Sequence, residues 1–350
     1  MSTVEKCVQR LSYYNKKFRA DRMRNRQGRI IRWGIIGLGN MANVFAKALQ
    51  VVPDAYIAAV ASRNGEKARA FAKKYRVTHA YGSYEAMLCD KALNLDIVYI
   101  ATPNKYHYQH IKLVLEHGLN VICEKPITAN ADELIALKRI ADEKGLFFME
   151  GMWTLCLPVH QVAKEWIEAG KIGTLQAVRI DLSKREIVDT ARSIFSPEEG
   201  GGVLMDYGIY TIAFALWLLG EKTEIEYVQS FDAENGIDKS WYIVLANNGI
   251  KAFITIASDI EGDRKAVAIG TSGSIEWESQ FNRTNKICRY YHNGRKAEEF
   301  SVPYKFMGIE YEIQEVHRCI KNNLKESKLV PYSSVLKTMQ FADHLRKAMS

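Results

Sequence analysis

The apolar positions of the first half fall into short runs separated by segments of helical period. Arg32–Ile36, residues 56–61, Leu95–Ile100 and the run ending at Lys125 are near-continuous apolar stretches, as expected of strands buried on both faces. The intervening segments predict helices from the Gly37-Leu38-Gly39-Asn40-Met41-Ala42 stretch through Leu49, over Glu66–Tyr75, near 83–89, over His107–Glu116 and over 130–143. A short strand near 78–80 and another at Leu146–Phe148 complete the alternation. Strict strand–helix alternation predicts an α/β fold, a doubly wound parallel sheet of Rossmann type.

After Glu150-Gly151-Met152-Trp153 the pattern changes. A helix at 158–169 leads into a long strand, Leu175–Lys184, followed by a weakly periodic stretch to Gly200-Gly201-Gly202. Long aperiodic loops in compact domains are usually functional or mobile. An apolar helix then runs from Val203 to Leu219. Trp241–Ala246 and Ile250–Ala257 flank Asn247-Asn248-Gly249, while Ile287–Tyr291 and Ala297–Val302 flank His292-Asn293-Gly294, both read as hairpins. Helices at 308–324 and 333–349 close the chain. The expected organisation is a basic, helical extension at 1–30, a dinucleotide-binding domain at 31–150, and an α+β domain with an open, mostly antiparallel sheet at 151–350. The last helix is expected to pack back on the first domain.

Charge changes this picture little. The chain of 350 residues carries a formal net charge of +8. Nine of its basic and two of its acidic residues lie in 1–30, so the body is nearly neutral. Nucleic-acid binding would need a basic face on that body. In the extension, Ser2-x-x-Glu5 reads as a capping box, and Val4, Cys7, Val8, Leu11, Tyr14 and Phe18 recur at helical spacing, so an added helix is expected rather than an RNA-binding arm. No apolar stretch approaches the roughly 20 residues of a membrane span, and the N-terminus lacks the apolar core of a signal peptide. The six cysteines are scattered without a Cys-x-x-Cys pair, which suits reduced thiols in a cytoplasmic protein.

Candidate chemistry collects at the predicted strand ends. Gly37-x-Gly39-x-x-Ala42 follows a strand and opens a helix, the context in which glycines make a tight turn and admit a pyrophosphate to the helix N-terminus. At the end of the second strand an NAD site would carry an acid for the ribose 2′-hydroxyl. This chain has Ser62 and Arg63, which suit a 2′-phosphate and so favour NADP, with NAD still open. Leu38, Asn40, Met41, Tyr81, Thr102, Pro103, Asn104, His107 and Glu124 complete the candidate cofactor set. His107 and His110 have no further ligand at zinc spacing, so no metal site is expected; His107 should lie near the cofactor and His110 should face outward. Lys125, in Cys123-Glu124-Lys125-Pro126, ends a strand where open α/β sheets bind ligands. Asp206 and Tyr210, four apart, share a helix face, although Asp206 also fits an N-cap and Tyr210 a core tyrosine.

These motifs, in this order from about residue 31 to the C-terminus, resemble the glucose–fructose oxidoreductase / inositol dehydrogenase / MocA family. Ala80–Glu85, Cys123–Pro126, Phe148–Thr154, Gly200–Tyr210, Tyr311-Glu312, His317–Ile320 and Glu326-Ser327 carry the likeness, which is strongest to its branch of dimeric dihydrodiol and NADP-xylose dehydrogenases. Tyr210 stands where many members have His, and Leu155 stands where that branch often has Arg. The resemblance implies hydride transfer between NADP and a secondary alcohol or hemiacetal of a sugar, polyol or dihydrodiol. It also implies a homodimer or homotetramer through the open sheet. Tyr210 is expected to act as general acid/base, with Lys125 lowering its pKa. Asp206, Arg192 and Trp153 are expected at the substrate. The alternatives are an NAD-linked inositol or amino-sugar dehydrogenase and a catalytically silent NADP-binding regulator.

Overall fold

In a computed structural model of the chain, residues 28–186, 195–196, 201–233 and 235–349 are described. The expected N-terminal helix and Arg192 lie outside these residues.

Six parallel strands form the first sheet: β1 (Ile31–Ile36), β2 (Ala55–Ala61), β3 (His79–Tyr81), β4 (Ile97–Ile100), β5 (Asn120–Glu124) and β6 (Phe148–Gly151), in the order β3-β2-β1-β4-β5-β6. The order reverses between β1 and β4, the crevice where this fold places its ligand. Helices α1 (Asn40–Val51), α2 (Gly65–Tyr75), α3 (Tyr84–Cys89), α4 (His107–Glu116) and α5 (Ala131–Glu143) connect the strands. Local chemistry sets their starts. The side chains of Asn64, Ser83 and Asn130 accept from Lys67, Ala86 and Glu133 backbone N–H groups at the α2, α3 and α5 N-caps. β1 is buried along almost its whole length, as its unbroken apolar run requires.

α6 (Pro158–Glu168) leads into an eight-stranded sheet ordered β14-β13-β12-β11-β7-β10-β9-β8. Its strands are β7 (Leu175–Ser183), β8 (Glu224–Asp232), β9 (Asp238–Asn247), β10 (Ile250–Ala257), β11 (Ala266–Gly270), β12 (Gly273–Trp277), β13 (Lys286–Tyr291) and β14 (Lys296–Ser301). Only β7 and β10 pair in parallel; the other neighbours are antiparallel. Val178, Ile180, Ile243, Leu245, Ala252 and Ile254 point to one face and are buried beneath α7 (Ile209–Leu219), while α6 covers β13 and β14. The alternate residues Tyr227, Phe231, Phe253 and Ile269 point to the other face and are exposed. The sheet is therefore apolar and covered on one side, and on the other carries exposed aromatics among charged side chains such as Arg179 and Lys251.

The last two helices return to the first sheet. On α8 (Ile309–Lys321), His317 Nε2 accepts from Trp33 Nε1 at 3.1 Å beneath β1. Helix α9 (Tyr332–Met349) packs on both α5 and α7, and Asp343 accepts from Ala131 N–H at 2.8 Å.

His160, on α6, is fully buried between Phe214, Trp217 and Trp277, with ring centroids 5.2, 5.8 and 6.1 Å away. Neither ring nitrogen has a hydrogen-bond partner among the described residues. Burial pushes its pKa down to about 3. The unfolded chain, with His near 6.5, therefore binds a proton that the fold refuses, and this term erodes stability as pH falls from about 6.5 toward 3. His160→Leu should remove that erosion. In denaturant titrations the variant is expected to gain roughly 2 kcal/mol over wild type on going from pH 7.5 to pH 5; an unchanged difference between the two pH values refutes this account.

Candidate active site

The Gly37–Gly39 turn sits at the crevice between β1 and β4. Gly37 has φ +82°, and a Cβ there would lie 2.7 Å from the Ala101 carbonyl and the Thr102 methyl. The turn is therefore closed to any side chain. Gly39 is different: a Cβ built on it would meet no heavy atom within 4 Å. It is the N-cap of α1, with no side-chain cap and no acid in the first turn. The first amides of α1, at the exposed Asn40 and Met41, thus face open space with their donors and positive dipole end unclaimed, as a pyrophosphate requires. Leu38 is buried below the turn. These features fit a bound dinucleotide.

Arg63, just past β2, lies exposed with its guanidinium 5.1 Å from the Tyr106 ring centroid. Among the described residues it makes no ion pair. The Ser62 hydroxyl accepts from Asn64 N–H at 3.2 Å, and the Tyr81 carbonyl accepts from Ser62 N–H, aligning the ends of β2 and β3. Tyr81 donates its own hydroxyl to Asp90 at 2.5 Å. Thr102, Pro103 and Asn104 follow β4 at the same crevice.

The structure places three of the expected residues and corrects one of them, His110. His107 is fully buried, with its ring nitrogens each 2.8 Å from a carbonyl oxygen, Pro126 at Nδ1 and Thr102 at Nε2. It ties the loops after β4 and β5 together. His110 does not face outward: it is buried, 3.0 Å from the Thr102 hydroxyl, and burial pushes its pKa down to about 4. Glu124 turns its carboxylate inward to accept from the Tyr99 hydroxyl, leaving its backbone at the strand end.

Lys125 follows β5 and reaches across to the second domain. Its Nζ pairs with Asp206 Oδ1 and donates to the Asp206 carbonyl at 3.0 Å. The same ammonium lies 4.9 Å from the Tyr210 ring centroid. Asp206 is not an N-cap; it sits inside a π-helical turn, Leu204–Gly208, that opens directly into α7. Such turns widen a helix and often mark functional sites. Here the turn brings Asp206 and Tyr210 onto one cation. Trp153, in the turn after β6, donates from Nε1 to the Tyr210 hydroxyl at 3.1 Å.

Burial is the largest single influence on Lys125 and lowers its pKa, but Asp206, Tyr210 and Glu124 together raise it above its ordinary value. The ammonium is thus firmly charged. For Tyr210, burial outweighs the nearby ammonium, and the phenol is pushed up to about 12. This corrects the expectation of a lowered pKa: Lys125 pulls in that direction, but desolvation wins.

Known proteins match this arrangement. Residues 31–152 match the oxidoreductase family with an NAD-binding Rossmann fold, and residues 160–276 match the GFO/IDH/MocA C-terminal domain. The chain belongs to the GFO/IDH/MocA oxidoreductase family. Trans-1,2-dihydrobenzene-1,2-diol dehydrogenase of Xenopus tropicalis is 30% identical over 312 residues, covering 85% of this chain and 92% of the relative. The Homo sapiens enzyme of that name is 28% identical, covering 91% and 97%. Among solved structures, the 3-ketoreductase KijD10 from Actinomadura kijaniata, in complex with NADP and TDP-benzene, superposes with a TM-score of 0.81 at 22% identity, over 91% of this chain and 97% of that one. Aldose–aldose oxidoreductase from Caulobacter crescentus gives a TM-score of 0.81 at 20% identity, with the same coverage. The family oxidoreductases and this chain share an NAD(P)-binding Rossmann domain joined to a second, mostly antiparallel sheet.

Sequence reasoning missed a residue at the rim of this site. Arg283, from the turn between β12 and β13, places its guanidinium 5.9 Å from the Trp153 ring centroid. An isolated arginine between two hairpin strands carries no local motif. Gly39 provides the direct test of the cofactor cradle. Gly39→Ala should leave the fold intact, because the added methyl meets open space, and should weaken dinucleotide binding about tenfold or more, or about 1.4 kcal/mol. Unchanged NADPH affinity by fluorescence titration would place the pyrophosphate elsewhere.

Proposed function

We propose that the protein is an NADP-linked dehydrogenase that transfers a hydride between the nicotinamide and a secondary alcohol or hemiacetal carbon of a sugar, polyol or dihydrodiol. The observation that carries this reading is the convergence of Lys125, Asp206, Tyr210 and Trp153 beside the Gly39 cradle. NADP rather than NAD is supported by Arg63, an exposed guanidinium without an ion pair among the described residues, where a 2′-phosphate would lie. The dihydrodiol dehydrogenase relatives and the NADP-bound ketoreductase agree with that chemistry.

Donor and acceptor counts assign the roles. An ammonium has three N–H donors; Lys125 uses two on Asp206. The third is left for a substrate oxygen. Tyr210 accepts from Trp153, and its own O–H proton has no acceptor among the described residues. A phenol at about 12 stays protonated at neutral pH. Tyr210 is therefore set to give its proton to a carbonyl oxygen in reduction and to recover it in oxidation. Lys125 holds that oxygen and offsets negative charge as it develops. Asp206 fixes the ammonium, and Trp153 fixes the phenol. The nicotinamide, when bound, supplies the hydride chemistry.

Tyr210→Phe and Lys125→Met are each expected to lower kcat by roughly 10²–10⁴-fold while NADPH still binds, and more tightly than NADH. The measurement is single-turnover NADPH oxidation against a panel of keto sugars and diketones, with binding titrations alongside. Full turnover in Tyr210→Phe would remove the proton-transfer role; tight NADPH binding without turnover on any substrate would favour a regulatory protein.

The uncovered sheet face also points to self-association. Phe253 and Tyr227 are 48% and 51% exposed, and they share their face with exposed Phe231 and Ile269 and with the charged Arg179 and Lys251. Burial of such a patch against a second copy would form a homodimer, or a homotetramer by repetition. No helix among the described residues is long and apolar enough to cross a membrane, and the free cysteines fit a cytoplasmic setting. Phe253→Glu should shift the mass seen by light scattering toward the monomer. A wild-type protein that is already monomeric overturns this assignment.

A further inference from the structure

The mouth of the site holds a cation that the proposed reaction does not use. Arg283 ends a short 3-10 turn, Phe281–Arg283, whose neighbours are all pinned. Phe281 is fully buried, 5.0 Å from the Phe214 ring, and its N–H donates to the Arg264 carbonyl at 2.9 Å. The Asn282 carbonyl accepts from the Thr154 hydroxyl at 2.8 Å, and the Thr284 carbonyl accepts from the Tyr304 hydroxyl. The turn is thus bolted to the residue that follows Trp153. Arg283, between these anchors, is exposed, and its guanidinium lies over the Trp153 indole at 5.9 Å. The same indole donates to the Tyr210 hydroxyl at 3.1 Å. One aromatic ring therefore separates the proton-bearing phenol from a guanidinium.

The charges around that ring are unequal. Lys125 is neutralised by Asp206. Arg283 makes no ion pair among the described residues, and stacking on an aromatic face leaves its N–H donors free along the ring edge. A guanidinium held this way matches a carboxylate bidentately. We propose that Arg283 is a specificity residue, and that the substrate is a sugar or polyol acid whose carboxylate it receives while the oxidised carbon lies at Tyr210 and Lys125. One unpaired positive charge balances one carboxylate, whereas a phosphate dianion would leave a charge uncompensated. The inference rests on the active-site assignment above and adds the chemical class of the far end of the substrate.

The test compares D-glucuronate with D-glucose, which differ at a single terminal carbon, and with D-glucose 6-phosphate. Binding to the NADP-loaded protein is measured by calorimetry for wild type, Arg283→Met and Arg283→Lys, and NADP reduction is followed in parallel. Wild type should bind glucuronate more tightly than glucose. Arg283→Met should reduce that preference by roughly 10- to 100-fold, and Arg283→Lys should restore part of it. NADP affinity in both variants checks that the fold is intact. No preference for glucuronate, equal weakening of both sugars in Arg283→Met, or a stronger response to the phosphate would each overturn the proposal. Absence of NADP reduction with every sugar would instead count against the dehydrogenase reading, while the binding ratios would still decide the role of Arg283.

Discussion

The site depends on one ion pair formed across two domains. Lys125 directly follows β5 of the parallel sheet; Asp206 lies in the π-helical turn that leads into α7 of the second domain. Lys125 is largely withdrawn from water while the Asp206 side chain stays 34% exposed, and that withdrawal is offset only when geometry and additional hydrogen bonds are good. Lys125 meets that condition through two contacts with Asp206 and the face of Tyr210. Removing Asp206 would leave the buried ammonium uncompensated. The pair therefore holds α7 at a fixed height over β5, and Tyr210, one turn along the same helix, takes its place from that constraint.

The surroundings keep the net charge small. Glu124, Glu150 and Glu312 are all buried near the same strand ends. Burial raises each of them, Glu150 to about 7 and Glu312 well above the ordinary range. Had all three been ionised beside Asp206, one ammonium would face four carboxylates. Burial disfavours the charged form of each, and Glu150 accepts from Ile127 N–H at 3.0 Å and so shapes the turn after Lys125. His107 ties the same turn to the loop after β4. The cation is thus positioned by its two contacts with Asp206 and by the turn that Glu150 and His107 hold.

Much of this was legible in the chain because it is local. Continuous apolar runs marked β1, β2, β4 and β5, and the glycine spacing after β1 marked the cradle. Other parts depended on partners far away in sequence. β11 and β12 are five residues each, joined by Thr271-Ser272 without an Asn-Gly signal, and β8 is an edge strand with mostly exposed positions. β6 was expected at Leu146–Phe148 but runs Phe148–Gly151, because its buried Glu150 breaks the apolar pattern that marks a strand. His110 looked like a surface residue on a helix until Thr102 supplied its partner. The π-helical turn, too, arises from tertiary demand: its residues read as ordinary apolar helix.

The phenol illustrates why such a site cannot be read from pairs of residues alone. A lysine beside a tyrosine suggests a lowered pKa and a ready base. Yet moving a phenol out of water disfavours its anion more than one ammonium favours it, particularly when that ammonium is already committed to a carboxylate. The consequence is directional. In the proposed reaction a protonated Tyr210 would serve as the acid of reduction, whereas oxidation would need a compensating positive charge before the phenolate could form. An oxidised nicotinamide carries one positive charge and a reduced nicotinamide does not. The charge of the bound cofactor, added to that of Lys125, would therefore favour the phenolate when oxidation is required and the phenol when reduction is. Acid and base function can then reside in a single side chain, with the dielectric of the closed site setting how strongly each state is preferred.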